Sequence, residues 1–210
     1  MKRCVIFGGA RIANEKPVRD ALRPDDFIIC CDSGLTHAQT FGFTPDLIIG
    51  DFDSHENPHL PVETIVLPRE KDDTDTAYAV KEALRRGFTD FLMAGVIGQR
   101  PDHTLANISL LLLLQKAGAQ AVMLDDYAAL SLIVPGMCAQ IPDRYPYFSL
   151  LAFGGPAEGV TITGAKYPLT DGHISCDYQY AVSNEVLRGQ TAQVSLTGGT
   201  LLLVKIFEKD

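Results

Sequence analysis

The sequence predicts an α/β N-terminal domain with a mostly parallel sheet, followed by an all-β C-terminal sandwich domain. Three observations carry this expectation. Short unbroken apolar runs alternate with helix-length segments through the first 126 residues, as expected of strands covered on both faces. Helical periodicity then stops, and β-rich runs separated by turns continue to the end. The composition is that of an ordinary folded chain: 210 residues, 46% hydrophobic and 21% charged, enough for one full domain and a smaller one. The expected domains are residues 1–126 and 127–210.

Each element has its own signal. Residues 3–7 (RCVIF) read as a buried strand that stops at Gly8-Gly9. Residues 26–31 (DFIICC) are a second, ending in Asp32-Ser33-Gly34, and residues 47–49 a third, ending in Gly50-Asp51-Phe52-Asp53-Ser54. Residues 64–67, 91–96 and 121–124 supply three more. Thr74 can cap a helix that runs to about Arg86 and stops at Gly87. Ala77, Val80 and Leu84 then share its apolar face. A second helix begins at Pro101, suited to a first turn, and ends near Ala117 before Gly118. Beyond residue 126, strands are expected at 148–153, 160–163, 173–182, 192–196 and 201–207. Thr197-Gly198-Gly199-Thr200 reads as a tight hairpin turn joining the last two.

Charge and cysteine content exclude several classes. Eighteen Lys and Arg stand against 26 Asp and Glu, a formal charge of −8. Such a chain has no general attraction for nucleic acid or an anionic membrane, and handling phosphates requires local cations or a bound metal. The five cysteines contain no C-x-x-C pair, and Cys30-Cys31 in an apolar run read as core. The apolar stretch after Met1 is too short for a signal-peptide core, and residues 110–114 fall far short of a bilayer span. A cytoplasmic protein is expected.

The acids are placed unevenly. Asp32, Asp51 and Asp53 follow the carboxyl ends of expected strands; Asp72, Asp73 and Asp75 precede a helix; Asp102 follows the fifth strand. In open α/β sheets ligands bind outside those strand ends, so these acids converge on one rim. Carboxylates gathered with few lysines raise their own pKa values unless a cation joins them, and Mg²⁺ with nucleotide phosphates suits such oxygen ligands. Ordinary turn chemistry also accounts for Asp32-Ser33-Gly34 and Gly50-Asp51 taken singly. Helix capping accounts for one or two of Asp72, Asp73 and Asp75. Arg100, His103 and Asn107 fall at helical spacing near a helix start that favours anions. The alternative is a satisfied helix histidine and a buried amide at 107. No P-loop, G-x-G-x-x-G, H-E-x-x-H or G-x-S-x-G occurs, so a nucleotide enzyme of this composition would have to hold phosphates by acids through Mg²⁺ and by Arg100.

Together these residues resemble the thiamine pyrophosphokinase family. The resemblance rests on Asp32-Ser33-Gly34, GDFDS (50–54), KDDTD (71–75) and GQRPDH (98–103) with Asn107. In the tail it rests on GAKYPL (164–169), Ser183-Asn184-Glu185 and the closing 199–204. It spans nearly the whole chain. It implies an α/β domain joined to a β-sandwich, a homodimer, and Mg²⁺-dependent transfer of diphosphate from ATP to thiamine with release of AMP. It further implies that Asp51, Asp53, Asp72 and Asp75 hold metal and that Arg100 and Asp102 act in catalysis. ATP would be bound by Asp32, Ser33, Gly34, Lys71, Thr74, Arg100, His103 and Asn107, and thiamine by Ser183 and Asn184. The chain departs from the family pattern at Gln99, where a second glycine is usual, and in having no Trp. The alternatives are a hydroxymethylpterin diphosphokinase, a D-x-D glycosyl- or nucleotidyltransferase, and a non-catalytic nucleotide- or vitamin-binding module.

Overall fold

The computed structural model describes residues 2–52, 60–68, 70, 72–98 and 100–207. The chain divides into two units, Met1–Asp126 and Tyr127–Asp210.

In the first unit the strands are β1 (Cys4–Phe7), β2 (Phe27–Cys31), β3 (Leu47–Gly50), β4 (Glu63–Val66), β5 (Asp90–Ala94) and β6 (Gln120–Leu124). They lie side by side in the order β4-β3-β2-β1-β5-β6. Every neighbouring pair is parallel, with Val5 opposite Ile28 on one side and Leu92 on the other. β1 and β3 are buried along their whole length, which is why their sequences are continuous apolar runs with no alternation. The order reverses between β1 and β5. Strands 1 to 4 step outward in one direction, and the chain then crosses back to place β5 and β6 on the other side of β1.

The helices are α1 (Lys16–Ala21), α2 (Gly34–Thr40), α3 (Asp75–Arg85) and α4 (Pro101–Lys116). The hydroxyl of Thr74 caps α3 by accepting from Ala77 N–H at 3.2 Å, and Gly87 follows the end in the left-handed region (φ +87°). The buried face of α3 differs from the expected one. Ala79, Val80 and Ala83 are buried with Glu82, while Ala77 and Leu84 are half-buried at the flanks. Two alanines let the helix lie close to the sheet, and Glu82 is tolerated because Arg85 and Arg86 both bond its carboxylate at 2.7 Å. α1 and α2 escape sequence reading: at six and seven residues they are too short to show a helical period.

The second unit holds β7 (Ala128–Ile133), β8 (Ala139–Pro142), β9 (Tyr147–Ala152), β10 (Ala157–Thr163), β11 (Leu169–Ile174), β12 (Thr191–Ser195) and β13 (Leu201–Ile206). β13 pairs antiparallel with β7 and β9, and β11-β10-β12-β8 form a second antiparallel sheet. Strands of both groups feed one apolar core that includes Phe148, Leu150, Val160, Ile162, Val194 and Leu203.

Two sequence expectations fail here. Thr197-Gly198-Gly199-Thr200 is not a hairpin, because β12 and β13 belong to different sheets. The turn pairs instead with the start of β10, Thr197 N–H and Gly198 N–H both donating to the Glu158 carbonyl. Gly199, at φ +79°, lies where a side chain would strike the Pro156 carbonyl. Residues 173–182 are not one strand either. β11 starts earlier and ends at Ile174, masked in the sequence by Asp171 and Gly172 where its register with β10 shifts.

Candidate active site

The carboxyl edge of the parallel sheet is built from loops that fit only because of glycine. Asp32, first residue after β2, adopts φ +46° and donates its N–H to the Ile49 carbonyl at 3.0 Å. Its carboxylate lies over Gly50, where a Cβ would overlap Oδ1 and stand 3.2 Å from Cγ. Ser33 likewise sets its Oγ over Gly9, and Gly34 fits beneath the Phe7 carbonyl. The Asp32-Ser33-Gly34 turn is therefore wedged between the ends of β1 and β3. Phe52, two residues past β3, also has positive φ, at +53°. Non-glycine residues in that region store strain, which clusters at functional sites.

Cys31 links this turn to α3. Its thiol donates to the Asp75 carbonyl at 3.7 Å, and it is only 2% exposed. Burial pushes its pKa well above the ordinary thiol value, and Cys30, Asp75 and Asp32 push it further. Asp32 and Asp75 thus share a neighbour, although they are far apart in sequence. Asp51 follows β3 directly, and Asp72 is exposed ahead of the Thr74 cap. Asp73 is engaged elsewhere, with both its oxygens taking Lys81 Nζ at 2.7 Å. Asp53 and Lys71 lie outside the described residues. Among the described residues, no group of three or more His, Cys, Asp or Glu is gathered closely enough to hold a metal alone.

The segment entering α4 departs from the expected helical face. Arg100 is extended (φ −91°, ψ 98°) and precedes the helix, because a residue before proline is driven out of the α region. Its guanidinium grips Asp102 with Nε at 3.1 Å and Nη2 at 2.6 Å. That fork holds the Asp102 carboxyl well below the usual range, with help from the His103 backbone. His103 is exposed on the first turn. Asn107 is 7% exposed and donates to the Val96 carbonyl at 2.7 Å, so the buried-amide alternative describes its geometry. Thr104, which sequence reasoning missed, closes the same loop by bonding both the N–H and the carbonyl of Gly98. A hydroxyl one helical turn from Asn107 was its only signal.

In the second unit, Ser183 has φ +58° and donates its N–H to Ser149 Oγ at 3.0 Å. Asn184 is 3% exposed. Its amide accepts from Tyr167 N–H and donates to the Tyr167 carbonyl, and its backbone pairs with Phe148. Asn184 is a clamp that holds the strained Ser183 in place. Lys166 pairs with Glu185 at 2.7 Å beside it.

A parallel sheet with glycine-lined turns at its carboxyl edge defines an α/β protein of the kind that binds its ligand at that edge. Comparison with known proteins gives the family. Residues 18–123 match the model described as thiamin pyrophosphokinase, catalytic domain, and residues 138–201 the model described as thiamin pyrophosphokinase, vitamin B1 binding domain. A thiamine pyrophosphokinase from Bacillus subtilis (strain 168) is 29% identical over 181 residues, covering 83% of this chain and 84% of its own. The crystal structure of thiamine pyrophosphokinase from Bacillus subtilis superposes with a TM-score of 0.85 at 25% identity, covering 99% of this chain and 100% of that one. The thiamin pyrophosphokinase structure from Geobacillus thermodenitrificans gives 0.83 at 26% identity, covering 100% and 99%. The chain belongs to the thiamin pyrophosphokinase family.

Proposed function

We propose that this chain transfers the diphosphate group of ATP to the hydroxyl of thiamine, producing thiamine diphosphate and AMP. One observation carries the reading: the catalytic and vitamin-binding family models match in order along the chain. The first of them covers the unit that gathers Asp32, Asp51 and Asp75.

In this reading Asp51, Asp72 and Asp75, with Asp53, hold Mg²⁺. The donors are all carboxylate oxygens, which fits that ion. Mg²⁺ is usually held by one or two carboxylates together with phosphate oxygens and water, so a closed cluster of three acids is not required. Bound Mg²⁺ supplies charge neutralisation at the phosphate oxygens.

The remaining roles fall to the chain's own groups. Asp32, Ser33 and Gly34, with Lys71, Thr74 and His103, bind ATP. Arg100 neutralises charge as it develops on the departing AMP, and Asp102 orients its guanidinium. Asn107 holds the approach to Arg100 from behind. Ser183 contacts thiamine, with Asn184 shaping its turn. The thiamine hydroxyl oxygen bonds to the β-phosphorus of ATP and loses its proton to water, and the bond from that phosphorus to the α,β-bridging oxygen breaks, its electron pair leaving with AMP. The protein accelerates this step by positioning and electrostatics, with no covalent intermediate of its own.

A homodimer belongs to the same reading. Tyr147, Tyr167, Tyr178, Tyr180 and Val182 are exposed in the second unit, apolar side chains that a second copy of the chain would cover. The reaction is set in the cytoplasm, a compartment consistent with five free cysteines.

The test is a product assay with ATP, Mg²⁺ and thiamine. AMP should appear one for one with thiamine diphosphate, and ADP as the stoichiometric product would overturn the proposal. Sedimentation should show a dimer; a fully active monomer would remove that part.

A further inference from the structure

The crevice where strand order reverses lies between β1 and β5, and a single loop, residues 8–14, leaves β1 there. It is tied down at both ends. Gly8 N–H donates to the Ala94 carbonyl at 2.9 Å and Ala10 N–H to the Gly95 carbonyl at 2.8 Å. The Ala10 carbonyl accepts from His37 Nε2 at 2.8 Å, an assignment that places the ring proton on that nitrogen. Ala13 and Asn14 both donate backbone N–H to Asp126 Oδ1, at 2.8 and 2.9 Å. Ala10 also packs where a side chain at Gly98 would go, which brings the loop onto the segment leading to Arg100.

Arg11 sits between these ties. It is exposed and makes no ion pair among the described residues. Every other described arginine of this unit faces a carboxylate within 3.8 Å: Arg3, Arg19, Arg23, Arg85, Arg86 and Arg100. In a chain of net charge −8, an arginine kept clear of those carboxylates has its guanidinium available to an anionic ligand. Its backbone is held at the strand-order reversal, where ligands of open α/β sheets bind. A guanidinium there meets phosphate oxygens in the paired geometry for which arginine is suited.

We propose that Arg11 binds the phosphate groups of the nucleotide substrate; this rests on reading the carboxyl edge as an ATP site. The experiment measures binding of α,β-methylene-ATP with Mg²⁺ by titration calorimetry, so that no turnover is needed. Arg11→Ala should weaken binding about tenfold, while Arg11→Lys recovers part of the loss. Thiamine affinity and the thermal midpoint should not change, since the side chain is exposed and pairs with no carboxylate among the described residues. Arg11→Ala binding the analogue within about twofold of wild type would overturn the proposal, as would a wild type that does not bind it. A wild type that binds the analogue through Arg11 but makes no thiamine diphosphate leaves this inference standing and removes the proposed reaction.

Discussion

Gly50 ends β3 with the Asp32 carboxylate lying against its α-carbon, and that contact makes Gly50→Ala an informative perturbation. Gly50 does not occupy the left-handed region, so the backbone itself accepts alanine. The new methyl would overlap Asp32 Oδ1 and press on Cγ, 3.2 Å away, with the Asp32 backbone nitrogen at 3.5 Å. The backbone there is fixed by the Asp32 N–H bond to Ile49, so the carboxylate swings aside by about 1 Å. Overpacking at the end of a side chain costs about 1 kcal/mol, and removing a strand glycine returns about 0.5 kcal/mol. Stability should hardly change. A misplacement of about 1 Å in a positioned group costs on the order of 100-fold in rate, or about 2.7 kcal/mol of barrier. Thiamine diphosphate formation should therefore fall by that factor while urea unfolding stays within about 1 kcal/mol of wild type. A double-mutant cycle isolates the cause. In an Asp32→Ala background the methyl meets no carboxylate, so Gly50→Ala should cost no further activity. Wild-type turnover in Gly50→Ala, or simple additivity in the cycle, would refute the reasoning.

Asp72→Asn and Asp75→Asn should each lower turnover at least about tenfold, or roughly 1.4 kcal/mol, with part of the loss recovered by added Mg²⁺; near-normal kinetics in both would remove the metal role. Glu82 is held at a pKa of about 2 by the Arg85 hydrogen bond first and then Arg86, against an ordinary 4.5. A lowered carboxyl pKa gives stability that is present above 4.5 and lost as pH falls toward 2. Allowing for solvent around Arg85, Glu82→Gln should cost about 2 kcal/mol at pH 7, and the difference from wild type should shrink below about pH 4 in urea titrations. A pH-independent difference would refute the assignment. Burial pushes the Cys30 thiol to about 12 and Cys31 well above the ordinary value, while Cys138 and Cys176 are exposed. A thiol reagent should therefore label those two in the native protein and all five after denaturation; rapid native labelling of Cys31 would contradict its buried link to Asp75.

Local sequence was enough to place the parallel strands of the first unit and the two long helices. Burial on both faces leaves a strand no polar positions, and caps such as Thr74, Pro101, Gly87 and Gly118 are local chemistry. It also placed Asp32 and Asp51 just after strand ends and Asp75 and Arg100 at helix starts, because turn and capping chemistry is local. Side-chain partners, by contrast, depended on the folded chain. Asp72 and Asp73 are adjacent and chemically identical, yet Asp73 is occupied by Lys81 around the first turns of a helix. Asn107 and Asn184 are 7% and 3% exposed, their amides bonded to Val96 and Tyr167, and no local signal gave those partners, since a side chain's burial depends on what packs over it. The turn at 197–200 has hairpin chemistry, and only the apolar core decides that its two strands enter different sheets. Arg11 carries no motif at all. Its separation from the paired carboxylates follows from where the loop after β1 is tied, and hydrogen bonds from residues as distant as His37 and Asp126 set that position.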